Sequence, residues 1–260
     1  MKSPYDFVVE FHLPDGRILQ NTSDGRKSVT KFSYDADGFR TIHEPAFLKD
    51  QQFLRAYRSA MNTGQRVAAP DKLHIEWRVY VACCMAKHAF KLGGAFVECG
   101  VSTGMTSLAI CEYLGFEHCG PAFYLVDTFG GIPLAQAAES ELKLSASKNE
   151  RHYFDSEELV RNNFKRFGNV SIVRGEVPDV LASLPTKEVA YLHIDMNIAY
   201  PEVEALKFFW PKMVKGGAIL FDDYISPLHL NQRDAIDEVA RQLDVLTIPL
   251  PTGQGLLIKS

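Results

Sequence analysis

One stretch near the middle of the chain constrains the fold most strongly. The apolar run Ala95 to Val97 is followed by Glu98 and by two glycines, Gly100 and Gly104, after which residues 106–114 carry a helical pattern. A glycine allows a tight turn and a close approach of the backbone to a ligand, and free N–H groups at a helix start favour a polar or charged ligand. We therefore predict a strand, a tight turn and a helix that together border a ligand site. The glycine spacing differs from the Gly-x-Gly-x-x-Gly of dinucleotide-binding folds.

Strand and helix patterns alternate through the rest of the chain. Predicted strands cover residues 122–126, 170–173, 189–194, 218–221, 245–250 and 255–259, and predicted helices cover 156–167, 178–183, 201–213 and 232–243. Such alternation favours a mostly parallel sheet with helices on both faces. The short link at residues 251–254 requires the last two strands to pair antiparallel. We predict a Rossmann-like α/β sheet that is mostly parallel and ends in a C-terminal antiparallel hairpin.

The N-terminal part of the chain has a different pattern. Residues 7–13, 17–20 and 28–34 are strand-like, and residues 44–62 have apolar positions at helical spacing. We predict that residues 1–70 form a β appendage with a helix, serving as a lid or an oligomer contact. Residues 71–260 then form the sheet domain. An added segment of this kind also makes a homo-oligomer an expected assembly.

The segment between Pro133 and Asp155 is rich in polar and small residues. Loops of this length in a compact domain are usually functional or disordered, so we predict a mobile lid over the ligand, with plain disorder as the alternative. His152 lies in this segment and is a candidate general base, because imidazole takes up a proton near neutral pH. A solvated loop histidine is the equally open alternative.

Acidic residues follow the predicted strands that would form the parallel sheet. They are Glu98, Asp127, Glu176, Asp195, Asp222 and Asp223. Ligands of open α/β sheets bind outside the carboxyl ends of the strands, so we expect these side chains to meet at one rim. Asp195, Asp222 and Asp223, with Asn197 beside them, form an oxygen-rich set suited to Mg²⁺. Alternatively, the paired aspartates cap the next segment and Asp195 touches only a cofactor.

Several motifs resemble the TylF-like macrocin O-methyltransferase family, within the class I S-adenosylmethionine (SAM) methyltransferases. They are residues 96–107, 124–133, 192–195 through Pro201-Glu202, and Phe209-Trp210-Pro211-Lys212 through Gly216-Gly217 to Phe221-Asp222-Asp223-Tyr224. The resemblance covers the chain from Leu73 to the C-terminus. It implies SAM-dependent methylation of a small-molecule hydroxyl, on a sugar or glycosylated natural product, usually with Mg²⁺. The family pattern Asp-x-Asp reads Asp195-Met196-Asn197 here, and the lost charge should weaken metal binding.

The resemblance allows roles to be assigned at the rim. Predicted SAM contacts are Glu98, Gly100, Ser102, Thr103, Gly104, Asp127, Thr128, Glu176 and Asp195. Asp127 would accept hydrogen bonds from the ribose hydroxyls, Glu98 would orient the glycine loop or bind the ammonium group, and Glu176 would receive the adenine amino group. Asp195 and His152 are the predicted catalytic residues, and Asp195, Asp222 and Asp223 are the predicted metal ligands.

Composition excludes several other classes of protein. With 28 Lys+Arg against 32 Asp+Glu and no basic block, the chain is not expected to bind DNA or RNA. It shows neither an apolar signal core nor a run that could span a bilayer, and its five cysteines lack metal-finger spacing, so we expect a cytoplasmic protein with free thiols and no membrane partner. Two alternatives to a methyltransferase stay open, a NAD-binding oxidoreductase and a non-catalytic binding module of the same fold.

Overall fold

The computed structural model describes residues 9–12, 17–21, 27–41, 43–66, 73–118 and 120–260. At the N-terminus, β1 (Val9–His12), β2 (Arg17–Asn21) and β3 (Lys27–Lys31) form an antiparallel sheet in that order. A hairpin of β4 (Tyr34–Ala36) and β5 (Phe39–Thr41) follows. The predicted N-terminal β structure is therefore present, while Phe7, Val8 and Leu13 of the first predicted strand lie outside the described residues.

Two helices precede the central sheet. The first, α1 (Gln51–Met61), is capped by the Asp50 carboxylate, which accepts from the N–H groups of Gln52 and Phe53. Its buried positions Phe53, Ala56, Tyr57 and Ala60 follow helical periodicity. The second, α2 (Glu76–Ala89), buries small side chains against the sheet side of the core.

The remaining elements build the central α/β domain. In chain order they are β6 (Ala95–Cys99), α3 (Met105–Leu114), β7 (Phe123–Asp127), α4 (Glu139–Arg151), α5 (Glu157–Phe164), β8 (Val170–Arg174), β9 (Val189–Ile194), α6 (Ala199–Phe209), β10 (Met213–Phe221), α7 (Leu230–Gln242), β11 (Ile248–Pro249) and β12 (Gly255–Ile258). Short 3₁₀ turns cover Ala46–Lys49, Leu134–Gln136, Asp179–Ser183 and Trp210–Lys212.

The seven-stranded sheet has the order β11-β12-β10-β9-β6-β7-β8. Strands β8, β7, β6, β9 and β10 run parallel, and β12 pairs antiparallel with both β10 and β11. The predicted fold class is confirmed. The chain reverses its direction of winding between β6 and β9, which creates a switch point at the carboxyl ends of these two strands, where α/β sheets bind ligands.

The structure differs from the prediction most clearly at residues 134–154, where the expected loop is a short 3₁₀ turn followed by α4. The buried residue of this helix is a polar one, Ser145. The helix therefore has no stripe of buried apolar side chains that a sequence pattern could reveal. Local effects favour it instead, because acidic residues occupy its first turn and basic residues its last turn. Smaller differences are the strand predicted at 245–250, which is reduced to β11, and the helix predicted at 178–183, which is a 3₁₀ turn.

Two further expectations concern thiols and membranes. Cys83, Cys84, Cys99 and Cys111 are free thiols, and Cys119 lies outside the described residues. Within the described ranges, every helix is too short or too polar to cross a bilayer.

Candidate cofactor and acceptor site

A cavity opens at the switch point, at the carboxyl ends of β6, β7, β8 and β9. We call it the first cavity; it is lined by Gly100, Ser102, Val126, Asp127, Thr128, Gly131, Ile132, Pro133, Gln136, Tyr153, Gly175, Val177, Asp195, Met196, Asn197 and Pro201. Its wall combines apolar side chains with a small number of polar ones, which is typical of sites for small molecules. The sheet topology therefore brings two of the predicted rim residues, Asp127 and Asp195, into one cavity.

The glycine loop is shaped mainly by close packing. Gly100 has φ +90°, and a Cβ built there would lie 1.9 Å from the carbonyl oxygen of Asp195. Gly104 has φ +86°, and its Cβ would lie 2.4 Å from the ring of Phe164. Both glycines are thus required by the neighbouring protein atoms, in addition to any ligand. Ser102 follows the turn with φ 52°, a conformation that non-glycine residues adopt mostly where the surroundings impose it.

Asp127 ties this loop to the end of β7. Its Oδ2 accepts from the N–H groups of Val101 at 2.5 Å and Ser102 at 2.8 Å, and its Oδ1 accepts from the N–H of Phe129 at 2.6 Å. Thr128 Oγ1 lies 3.3 Å from the same Oδ1 but donates more closely, at 2.6 Å, to the Gly131 carbonyl oxygen. A carboxylate offers about four lone-pair directions, so Asp127 keeps one direction toward the cavity that it lines. It therefore both builds the loop and can receive a ligand hydroxyl.

Glu98 is buried behind the loop and does not line the first cavity. Its carboxylate accepts from Ser107 Oγ and lies 2.7 Å from His193 Nδ1. The other ring nitrogen of His193 is 3.5 Å from Asp222 Oδ1. Burial alone would lower the pKa of His193, but the neighbouring carboxylates of Asp222 and Glu98 raise it to about 10. Glu98 therefore positions His193 and, through it, Asp222.

The three predicted metal ligands come together. One ligand oxygen each from Asp195, Asp222 and Asp223 lie within 4.8 Å of one another. We call these residues the acidic cluster. Burial and the charges of its two neighbours raise the pKa of Asp195 well above its usual range. The oxygen chemistry and the spacing of this set fit a single hard cation.

Positive charge from the protein already reaches this cluster. Arg78 Nη1 donates to the backbone oxygen and to Oδ2 of Asp222, each at 2.7 Å, and Arg78 also binds Asp37. Although burial opposes ionisation, Arg78 and His193 together hold the pKa of Asp222 below its usual value. Arg78 Nη1 also lies 3.7 Å from Asp223 Oδ1, so this cation reaches two members of the cluster and contacts Asp222 more closely.

Asn197 stands where β9 runs into α6. Its backbone has φ 65°, a left-handed conformation that asparagine tolerates. The buried Glu202 holds this turn, since its Oε1 accepts from the N–H groups of Met196 at 3.0 Å and Asn197 at 2.9 Å. The Asn197 amide then donates to Asp195 Oδ1 at 3.0 Å and contacts Tyr153 Oη at 3.3 Å.

Lys148 reaches the same turn from α4. Its Nζ donates to Asn197 Oδ1 and lies 3.0 Å from His229 Nε2, and that nitrogen is 3.6 Å from Asp223 Oδ2. A second cavity opens beyond Asn197; it is lined by Ser140, Glu141, Leu144, Ser145, Asn197, Pro227, Leu228, His229, Leu230 and Asn231. Asn197 lines both cavities, so the two meet at this residue.

The predicted site residues divide into two groups. Gly100, Ser102, Asp127, Thr128 and Asp195 line the first cavity. The others do not line it. Thr103 is buried against Thr63, with 2.9 Å between the hydroxyl oxygens, and Glu176 is exposed at the rim, where Gln136 Nε2 donates to it at 3.2 Å.

The structure does not bring His152 to the site. Its ring is exposed, its Nδ1 lies 3.2 Å from the carbonyl oxygen of Arg66, and it lines neither of the two cavities. The neighbouring Tyr153 lines the first cavity instead. The sequence analysis also missed Arg78, Gln136, Lys148 and His229, because no local spacing connects these residues to the strand ends.

Comparisons with known proteins show the family of this chain. The family described as Macrocin-O-methyltransferase (TylF) matches residues 81–251, more than half of the chain. A demethyldecarbamoylnovobiocin O-methyltransferase of Streptomyces niveus is 27% identical over 159 residues, covering 58% of this chain and 60% of the relative. A mycinamicin III 3''-O-methyltransferase of Micromonospora griseorubida is 25% identical over 114 residues, covering 40% of this chain and 44% of the relative. The chain thus spans about half the length of these curated relatives.

Solved structures show the same fold. The O-methyltransferase NovP matches with a TM-score of 0.63 and 22% identity, over 70% of this chain and 79% of that protein. The calicheamicin methyltransferase CalS11 matches with a TM-score of 0.56 and 16% identity, over 89% of this chain and 99% of that protein.

Proposed function

The chain belongs to the macrocin O-methyltransferase (TylF) family, and from this premise we propose that it transfers the methyl group of SAM to a hydroxyl oxygen of a small molecule, a sugar or a glycosylated natural product. The observation that carries the proposal is the meeting of two cavities at Asn197, beside the half-buried Asp195. One cavity suits the cofactor and the other suits the acceptor. The names of the curated relatives, O-methyltransferases for demethyldecarbamoylnovobiocin and mycinamicin III, support the acceptor class.

The first cavity suits the three parts of SAM. Gly100 and Ser102 border the end where the methionine part would lie. Asp127 would accept from a ribose hydroxyl. Ile132 and Val177 offer apolar walls for the adenine ring, and Glu176, held by Gln136 at the rim, would receive the adenine amino group.

Asp195 is the proposed catalytic base. The acceptor oxygen attacks the methyl carbon in line while the carbon–sulfur bond breaks, so S-adenosylhomocysteine leaves as a neutral thioether and the hydroxyl proton passes to the Asp195 carboxylate. Burial and neighbouring charge raise the pKa of Asp195, which makes it a stronger proton acceptor. Holding the two reactants in line supplies a large part of the rate enhancement in transfers of this kind.

Magnesium stays a prediction for this site. Asp195, Asp222 and Asp223 would hold the ion, which when bound would lower the pKa of the acceptor hydroxyl. The acidic cluster has suitable donors.

The proposal is tested by cofactor binding and methyl transfer. We expect calorimetry to detect SAM binding to the wild type and to Asp195→Asn. Labelled SAM would then be offered with TDP-rhamnose and demethyldecarbamoylnovobiocin, acceptors named for related enzymes. Asp195→Asn should lower turnover by about 10²- to 10⁴-fold, the usual contribution of a general base, whereas His152→Ala should match the wild type.

Two results would contradict the proposal. Absence of SAM binding, together with binding of NADH, would favour the oxidoreductase alternative. Binding of SAM and S-adenosylhomocysteine without transfer to any hydroxyl acceptor would favour a non-catalytic binding module.

A further inference from the structure

One polar atom at the wall of the first cavity is buried without a hydrogen-bond partner. Gln136 ends the 3₁₀ turn Leu134–Gln136 and lines this cavity. Its side-chain oxygen Oε1 is shielded from solvent, and no group in the described part of the chain donates to it. Buried polar atoms of proteins nearly always have a partner, and an unpaired one costs free energy. An unpaired acceptor at the wall of a ligand cavity therefore indicates that the ligand supplies the missing donor.

The neighbours of Gln136 fix the orientation of its side-chain amide. Nε2 donates to the Glu176 carboxylate at 3.2 Å and to the Val177 carbonyl oxygen at 3.1 Å. A carboxylate and a carbonyl are both acceptors, so these contacts use the two N–H groups of the amide. Turning the amide over would place its oxygen against two other oxygens. Gln136 therefore offers a ligand an acceptor and no donor.

The position of Gln136 in the cavity selects one part of SAM. Asp127, which would accept from a ribose hydroxyl, lies beside Gly175, whose N–H donates to the Asp127 carbonyl oxygen at 2.9 Å. From Gly175 the chain continues to Val177, the residue that Gln136 contacts. The base of a nucleoside whose ribose meets Asp127 would thus extend toward Val177 and Gln136. The adenine ring of SAM carries one donor group, its exocyclic amino group.

The turn that carries Gln136 can yield to an entering base. None of the residues of this turn is buried, so a small outward shift would cost little apolar packing. Its backbone hydrogen bonds are local, since the Gln136 N–H donates to the Pro133 carbonyl oxygen at 2.9 Å. Such a shift would uncover Oε1 at the place where the ligand presents its donor.

We propose that Gln136 Oε1 accepts a hydrogen bond from the exocyclic amino group of adenine and makes the chain selective for an aminopurine cofactor. The inference rests on the proposed SAM-dependent methyl transfer. The amino group carries two N–H donors, so one can reach Glu176 at the rim while the other meets Gln136. Hypoxanthine presents an oxygen in place of this amino group, and that oxygen would face Oε1 as a second acceptor. Gln136 could donate to it only by giving up its contacts with Glu176 and Val177.

The first test compares two ligands that differ at this edge of the purine. S-adenosylhomocysteine carries the amino group, and S-inosylhomocysteine carries an oxygen in its place. Neither ligand has a methyl group to transfer, so calorimetry measures their binding without an acceptor. The wild type should bind the adenosyl ligand about 10- to 100-fold more tightly, the effect of leaving a buried polar group unpaired. Equal affinities would overturn the inference.

Variants separate the role of Gln136 from that of Glu176. Gln136→Leu should lose most of the preference for the adenosyl ligand, whereas Glu176→Ala should keep most of it, because Oε1 remains in place. Gln52→Leu is the matched control, since Gln52 also donates to a backbone carbonyl, that of Tyr113 at 2.7 Å, but lies outside the first cavity. A glutamine that only supports the turn would weaken both ligands equally when replaced. An unchanged preference in Gln136→Leu would therefore overturn the inference.

The second test observes the acceptor atom's carbonyl group directly. In protein labelled with ¹³C at the glutamine side-chain carbonyls, the Gln136 signal is identified by its absence from Gln136→Leu. This signal should move downfield when S-adenosylhomocysteine binds, as a carbonyl carbon does on accepting a hydrogen bond, and should move much less with S-inosylhomocysteine. A Gln136 signal that responds equally to both ligands would overturn the inference. Failure of the wild type to bind S-adenosylhomocysteine would instead refute the proposed function, and the role of Gln136 with it.

Discussion

The backbone at Gly100 leaves no room for a Cβ atom. A Cβ there would lie 1.9 Å from the Asp195 carbonyl oxygen, a backbone atom at the end of β9. We expect Gly100→Ala to lower the free energy of unfolding by more than about 3 kcal/mol, because two strand ends must separate. Gly115→Ala is the matched control, since its φ is +71° but no atom lies within 4 Å of its Cβ, so it should lose only about 1–2 kcal/mol of backbone strain. If urea unfolding gave equal losses of stability for Gly100→Ala and Gly115→Ala, the close approach of Gly100 to the Asp195 carbonyl oxygen would be unimportant.

Glu202 is a buried acid that organises the turn at Asn197. Its Oε1 accepts from two backbone N–H groups and, at 2.5 Å, from Gln232 Nε2. Glu202→Ala should cost about 2–4 kcal/mol by leaving these donors without a partner. Glu202→Gln keeps a carbonyl acceptor and should cost less.

The same residue gives a pH dependence of defined sign. Burial, followed by the charge of Asp195, raises the pKa of folded Glu202 well above 4.5, its value when unfolded. The folded state therefore binds this proton more tightly, so stability falls as pH rises from 4.5 through the folded pKa. Glu202→Gln removes this titration and should gain in stability relative to the wild type as pH rises. A difference in the free energy of unfolding between the wild type and Glu202→Gln that stays constant with pH would contradict the raised pKa of Glu202.

The sequence analysis predicted the site residues that directly follow strands, but it did not predict those that reach the site from distant helices. Asp127 and Asp195 are placed by counting along an alternating pattern, because the carboxyl ends of parallel strands share one edge. Lys148 and Arg78 approach the acidic cluster from helices far away in sequence, and Arg78 contacts a residue 144 positions away. Only the packing of α2 and α4 on the sheet defines such contacts.

At the scale of elements, α4 is held by polar contacts in place of apolar packing. Asn149 joins it to Ile132, a residue of the first cavity, by accepting from its N–H at 2.8 Å and donating to its carbonyl at 2.9 Å. Ser145 is its buried residue. Apolar periodicity predicted the helices that cover the sheet but could not reveal a helix without an apolar stripe. The lid role of this segment stays a prediction, and α4 would be the moving element.

A lid of this kind should open locally. We expect amide hydrogens of α4 to exchange with solvent much faster than those of β6 and β9, because few apolar contacts oppose opening. SAM should slow this exchange. Asn149→Ala should accelerate it and weaken SAM binding about 5- to 30-fold, as expected for two lost hydrogen bonds, while Glu150→Ala, at an exposed position of the same helix, should have no effect. Exchange in α4 as slow as in the sheet, with or without SAM, would exclude a lid.

At the scale of the whole molecule, Arg78 connects four parts of the chain. It lies on α2, binds Asp37 in the β4–β5 hairpin at 2.9 Å, Asp222 after β10 at 2.7 Å, and the Thr252 carbonyl oxygen between β11 and β12 at 2.7 Å. Arg78 is largely buried, and so are Asp37 and Asp222, the two carboxylates that accept its hydrogen bonds. Tyr34 and Phe39 of the hairpin also pack edge-on against Trp77 beside it. The N-terminal hairpin is therefore anchored to the same charge network as the acidic cluster.

This network predicts strong coupling between distant segments. Arg78→Met should lower the free energy of unfolding by about 3–5 kcal/mol, because it leaves two buried carboxylates without their cation. Asp37→Asn should cost about 1 kcal/mol or less, since burial already raises the pKa of Asp37 and disfavours its charge. The double variant should then lose about 1–3 kcal/mol less than the sum of the single losses, as residues in one network do.

The exposed pair Arg40–Asp35 in the same hairpin, 3.2 Å apart, provides the control, and Arg40→Met should change stability by less than about 1 kcal/mol. Additive losses in urea unfolding would mean that Arg78 acts on Asp222 alone and that the hairpin is held by its aromatic contacts.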